Sequence, residues 1–467
     1  MKAHRRLWLA VVVVVAGATF LCGSVFAEDT APEKQSPPSN PPPTSAAPNE
    51  GAPAEKPAPP PTQPDYSGSL LDRTTLTGDW FGLRNTLAEK GITLDATLTQ
   101  VTQGIVRGGT NSGWQYGGRD DFTLNIDTGK LGLWPGGFFN AEAEHNFEDS
   151  VNSFPRAIMP VNGTMIFPSP NEGSLNIPAL NFTQFVCEYL GFTAGKYDTM
   201  SGDANAFAHG KGDTQFMNLA MNINPVVFLT SPYSTLGAGA IVLPTKDPNA
   251  AIVSFLVMSA DGQANTSGLN DLRSDAMTTA GEGRVRTDFF GLTGHQLVGA
   301  TYANKTYTSL NQDARDLIQN RALTAENHSW SLYYNFDQYL YQPTKDVDKG
   351  IGIFGRYGIA DSASNPVMRF YSAGVGGKGI VPLRPNDTFG IGGYYINISN
   401  PSLTILRRTV SLLGDEEGLE AYYNIALTKW FILTPDIQFI GPAQQRTVNG
   451  SSIGSSTILG LRLQMVF

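Results

Sequence analysis

The chain has 467 residues, of which 41% are hydrophobic and 16% charged, and its formal charge is −9. An acidic chain of this kind lacks the basic excess that neutralises phosphates, which excludes nucleic acid as a partner. Its five histidines (His4, His145, His209, His295 and His328) are scattered and its two cysteines, Cys22 and Cys187, lie far apart. No metal-ligand spacing results, and no cofactor is expected.

Residues 1–27 read as a secretory signal. Lys2, Arg5 and Arg6 form a positive start, Leu7 to Leu21 an apolar run, and Val25-Phe26-Ala27 a small-residue cleavage site. The run is short of the ~20 apolar residues that a spanning helix needs. Leu21 is too large to precede a lipidated Cys22. Cleavage before Glu28 removes three positive charges and no negative ones, so the mature formal charge moves from −9 to −12.

Residues 28–66 change composition sharply, with thirteen prolines from Pro32 to Pro64 among Ala, Ser, Glu and Thr. Such a tract has no apolar periodicity to bury. It is expected to be an extended periplasmic linker of polyproline II character, either passive or touching peptidoglycan. Residues 67–91 hold a short amphipathic helix, with Trp80, Leu83 and Leu87 on one face, Asp79 at its start and Lys90 at its end. Gly91 can close it in the left-handed region.

From Ile92 onward the period becomes two. Phe122, Leu124 and Ile126 alternate with Thr123, Asn125 and Asp127. Phe139, Ala141 and Ala143 alternate with Asn140, Glu142 and Glu144. The chain ends on Leu459, Leu461, Leu463, Met465 and Phe467, with Arg462 and Gln464 between them. Polar or charged residues at every second position suit a wet lumen on one face and lipid on the other. Sixteen such strands can be marked between 92–105 and 457–467. Long linkers follow odd-numbered strands (147–179, 198–234, 261–282, 306–328, 398–416, 441–456) and short ones mostly follow even-numbered strands. Two linkers break this parity, a short 361–367 and a long 377–386. The fold class expected is all-β: a transmembrane antiparallel barrel of about 16 strands over 92–467, closed by outer loops and periplasmic turns. A soluble sandwich would explain neither the parity nor the charged inner face.

Four motifs in order carry a family resemblance. The first is Gly78-Asp79-Trp80-Phe81-Gly82-Leu83-Arg84, the second Gly195-Lys196-Tyr197-Asp198 with Gln215 to Ala220. The third is Glu420 with Tyr422-Tyr423, Trp430 and Thr434 to Ile440, and the fourth Gly460 to Phe467. Together they resemble the carbohydrate-selective outer-membrane porins over Thr77 to Phe467. Trp80-Phe81-Gly82 departs mildly from the Trp-Gly-Gly of many relatives. The resemblance implies facilitated diffusion of mono- and small oligosaccharides, and a C-terminal Phe467 read by the barrel-assembly machinery. It also implies outer-membrane lipid and lipopolysaccharide as surroundings.

Solute-contacting residues follow from phase instead. Hydroxyl groups need strong donors and acceptors, and sugar rings favour aromatic surfaces. The pore-lining candidates are Glu142, Glu144, Arg284, Arg286, Asp288, Arg356, Glu420, Asp436 and Gln438, with Tyr422 and Trp430 as aromatic partners. Ordinary wet-face residues balancing charge would look the same. The 198–234 segment carries Asp203, His209, Lys211 and Asp213, and either folds inward to narrow the channel or stays outside. Three other functions compete with this reading: a general or anion-preferring porin, a barrel enzyme and an envelope tether. The most basic strand, 283–290, has two Arg and one Asp, short of an anion ladder. No Ser or Asp has a His at catalytic spacing, so no enzyme is expected.

Overall fold

Period-two alternation lets a strand present one face to lipid while its backbone groups pair with both neighbours. In a bilayer, a closed ladder of such strands leaves no unpaired edge. The computed structural model describes residues 65–467 apart from 169–173, 202, 313–318, 320, 345–347, 400–401, 406–407, 412 and 448. Residues 1–27, where a secretory signal is expected, and almost all of the Pro-rich segment lie outside the described residues.

Sixteen antiparallel strands form one closed barrel. The first four are β1 (Ile92–Arg107), β2 (Gly113–Asp127), β3 (Gly137–Glu148) and β4 (Asn176–Cys187). Next come β5 (Leu190–Asp198), β6 (Ser234–Val242), β7 (Ala251–Ser259) and β8 (Met277–Thr287). They are followed by β9 (Gly294–Ala303), β10 (Ser329–Tyr341), β11 (Gly350–Ala360) and β12 (Val367–Lys378). The last are β13 (Thr388–Ile398), β14 (Glu416–Ala426), β15 (Phe431–Gly441) and β16 (Ser456–Val466). Strand β1 closes the barrel against β16, with Val101 opposite Arg462. Two small hairpins, Tyr307–Thr308 with Ala325–Glu326 and Ser402–Ile405 with Arg408–Ser411, stand apart from it.

The alternation sorts as its chemistry requires. Leu459 and Leu461 are exposed on the outer wall, whereas Arg462 and Gln464, which follow them on the same strand, are buried inside. On β2 and β3 the outer face breaks the pattern: Asp120 and His145 point outward and meet at 3.3 Å.

The segment before β1 forms a clasp, with one correction to the helix. The α-helix α1 is Leu83–Glu89, and Trp80 and Phe81 precede it with positive φ of 48° and 61°. Trp80 therefore does not share a helical face with Leu83 and Leu87. The buried face is Arg84 and Ala88, and Leu83 is exposed. Gly82 (φ 92°) starts the helix and Gly91 (φ 81°) follows it, both in the left-handed region that glycine adopts freely.

The Arg84 guanidinium explains the clasp. It donates to Thr75 Oγ1 (3.1 Å), Leu94 O (2.8 Å) and Asp95 Oδ1 (3.0 Å). It also stacks over the Tyr66 ring at 4.0 Å and the Trp80 ring at 5.0 Å. Asp79 Oδ1 accepts from the Asn85 amide at 2.7 Å, and Gly78 (φ 63°) lies against Arg73. Leu76 N donates to Val466 O and Phe467 N to Ala96 O, so the segment before β1 and the C-terminal residue lock the β1–β16 seam.

Candidate functional site

A barrel of sixteen strands is wide, and something must narrow it before it can select. Residues 199–233, between β5 and β6, do so by folding into the lumen. The apolar side chains of this inner loop pack on the inward face of β11 to β16. Phe216 meets Phe354 and Tyr422 edge-on, with ring centroids at 5.4 and 4.8 Å. Met217, Met221 and Val226 are fully buried.

The wall makes room for them with missing side chains. A Cβ on Gly352 or Gly376 would lie 2.3 or 2.8 Å from the Phe207 ring or its Cβ, and one on Gly390 would lie 2.7 Å from Phe216. Real Cβ atoms do not approach so closely. One side of the lumen is thus filled by an apolar core.

Polar staples fix the loop, and several sequence-derived candidates are among them. Arg356 donates to Asp203 Oδ2 (2.9 Å), Met221 O (2.6 Å), Ala208 O (2.5 Å) and Asn222 O (3.2 Å). Glu420 accepts from the amides of Met217 (2.5 Å) and Asn218 (2.9 Å). Gln438 donates to Val161 O at 2.8 Å and to Asp436 Oδ1 at 3.0 Å, and accepts from Asn218. Tyr422 is buried against Phe216. Glu416, outside the candidate set, takes the amides of Ile158 and Met159, so the loop after β3 is pinned inside as well.

The remaining candidates separate into two groups. On β3, Glu144 accepts from Lys211 Nζ (2.9 Å) and from the Tyr233 hydroxyl, and Lys211 also binds Asp198 at 2.5 Å. Burial opposes the Lys211 charge, but Asp198 and Glu144 raise its pKa above the ordinary lysine value. Glu142, two residues away, makes no ion pair among the described residues and lines a cavity of about 300 Å³ between β1–β3 and the inner loop.

On β8, Arg284 shares the inward face with Glu282, whose Oε2 accepts from the Tyr333 hydroxyl at 2.9 Å. Arg286 reaches the end of that strand and binds Asp288 Oδ1 at 3.0 Å, and Asp288 lies in the following turn. Trp430, expected to face the lumen, sits in the 427–430 turn. Its indole donates to Leu70 O at 2.7 Å and its ring stacks on Phe431. The aromatic surface it offers belongs to the clasp.

Among the described residues, the lumen charges that escaped the sequence reading include Arg119, Asp121, Glu282, Asp337 and Glu416. Arg119 joins Asp121 at 2.8 Å and pairs with Asp213 of the inner loop. The run Arg119-Asp120-Asp121 hides its phase because charge sits on both faces. A second cavity, about 620 Å³, opens near the turns, lined by Asp348, Lys378, Lys429 and the inner loop's His209 and Gln215. The two cavities share Ser201, Asp203, His209, Thr214 and Gln464, so the inner loop forms the border between them.

Comparison with known proteins agrees with this architecture. The family model described as carbohydrate-selective porin, OprB family, matches residues 112–467. Porin B of Pseudomonas aeruginosa is 25% identical over 137 residues, which is 26% of this chain and spans 29% of that relative's length. The high-pH structure of Pseudomonas putida OprB superposes with a TM-score of 0.73 at 19% identity, covering 86% of this chain and all of that one. Its low-pH counterpart gives a TM-score of 0.50 at 15% identity, over 85% of this chain and 99% of its own.

Proposed function

The chain belongs to the carbohydrate-selective porin family, OprB family, and is an outer-membrane porin; we propose that it carries mono- and small oligosaccharides into the periplasm by diffusion through the lumen left beside the inner loop. It is a channel and not an enzyme. The observation that carries the reading is the division of labour among lumen charges. Arg356, Glu420 and Glu144 are spent on holding the inner loop, while Glu142 and Arg284 make no ion pair among the described residues.

A sugar leaving water gives up hydrogen bonds on every hydroxyl, and charged groups are the strongest replacements. An acceptor on β3 and a donor on β8 supply both kinds without building a ladder for one ion. The Pro-rich segment is a periplasmic spacer in this reading, and Phe467 the end recognised during assembly.

The test is sugar influx into vesicles containing the purified full-length protein, with glucose and the maltose series, and sugar block of single-channel current. Saturable block by sugars that weakens in Glu142→Gln and in Arg284→Gln is expected. Conduction with no sugar response in the native protein would overturn the assignment.

A further inference from the structure

The cavity beside β1–β3 is not electrically balanced. Asp121, Glu142, Glu144, Asp203 and Asp213 line it against Arg119 and Lys211, a formal excess of three negative charges. His209 adds nothing at neutral pH, because burial lowers its pKa. The cavity near the turns differs, since Asp203 and Asp348 there face Lys378 and Lys429.

The five carboxylates are not equivalent. Asp121 and Asp213 bind Arg119, Glu144 binds Lys211, and Asp203 binds Arg356. Those partners hold them as structure. Glu142 alone of the five has no ion pair of its own among the described residues: Asp198 and Glu144 lie near it, and the nearby Lys211 ammonium is bound to those two. A passing solute therefore meets an uncompensated carboxylate at this level of the lumen.

We propose that this chamber makes the pore favour sugars bearing a protonated amine over sugars bearing a carboxylate or phosphate, with Glu142 the group that the ammonium meets. The proposal rests on the carbohydrate reading above and adds a charge class to it. The hydroxyl groups of an amino sugar use the same donors and acceptors as a neutral sugar. Its ammonium gains the Glu142 carboxylate, and a sugar acid meets repulsion there. One unit charge at about 6 Å in water-like surroundings changes occupancy about three-fold, in opposite directions for the two solutes.

The test compares solutes of nearly one size. Glucosamine, glucose, N-acetylglucosamine and glucuronate are supplied to vesicles containing the full-length protein, in potassium chloride at neutral pH. Influx is measured chemically. Glucosamine is expected to exceed glucuronate about ten-fold, the product of the two opposed three-fold effects, with the neutral pair between them. In Glu142→Gln the ratio should move towards one, and the reversal potential in a salt gradient should shift towards anions. Glucuronate influx equal to or faster than glucosamine in the native protein would overturn the proposal, as would an unchanged ratio in a folded Glu142→Gln barrel. If glucose itself crosses no faster than in protein-free vesicles, the carbohydrate reading fails and the proposal with it.

Discussion

Replacing Arg356 with Met keeps the bulk of the side chain and removes its guanidinium. Four acceptors then lose the guanidinium as a donor: the carbonyls of Ala208, Met221 and Asn222, and the Asp203 carboxylate, which keeps Asn335 and the Asn205 amide but no cation. Breaking a buried charge pair by removing one partner costs ~3–5 kcal/mol, and water from the lumen can reach Asp203, which is partly exposed. A loss of about 3 kcal/mol is therefore expected, roughly a 150-fold rise in the population with a released loop. The strand ladder is untouched, so the barrel should still run as a folded band on an unheated gel. Single-channel recording should show flicker between the native level and a larger conductance, with weaker sugar block. A quiet channel of native conductance and native sugar block, in a folded Arg356→Met protein, would refute the staple argument.

Other expectations follow from the same geometry. Leu463→Arg places a charge towards lipid, at a cost of ~2–4 kcal/mol near the midplane, and should impair assembly measured by heat-resistant mobility far more than Gln464→Arg on the inner face. Gly352→Ala drives a Cβ into the Phe207 ring, and overpacking of this kind costs ~1–3 kcal/mol; displaced into the open lumen, the loop should lower conductance. Arg84→Ala removes hydrogen bonds from a buried guanidinium at the β1–β16 seam, each worth ~1.5–3 kcal/mol for a charged group, and should lower the urea midpoint without changing conductance. Neutralising Arg284 should shift the reversal potential towards cations, whereas neutralising Arg286, which is tied to Asp288 at the turn, should leave it nearly unchanged.

The wall of this protein was legible and its interior was not. Strand number and the inward phase of Arg462 follow from period two, because lipid and water impose opposite demands on adjacent residues. The inner loop obeys no such period. Phe216, Met217 and Met221 look like any apolar run, and the glycines that receive them, Gly352, Gly376 and Gly390, look like ordinary strand glycines. Their meaning appears when residues more than a hundred positions apart are brought together. Glu420 and Arg356 illustrate the same limit. Phase placed them inside, yet phase cannot tell a side chain that meets solute from one consumed by a loop's amides and carbonyls. Trp430 failed differently, since one residue of boundary error moved it from the strand to the turn.

The core that fills one side of the lumen also orders events in time. The inner loop is synthesised before the strands on which Phe207, Phe216 and Met221 rest, and those strands run to the C-terminus. Contacts of such long sequence separation form late. The bore of the channel consequently cannot mature before the C-terminal strands are in place. An unfinished or frayed C-terminal half would leave the loop without its seat and the passage wide, so the precision of the final closure governs how tightly the outer membrane is sealed as well as what it admits.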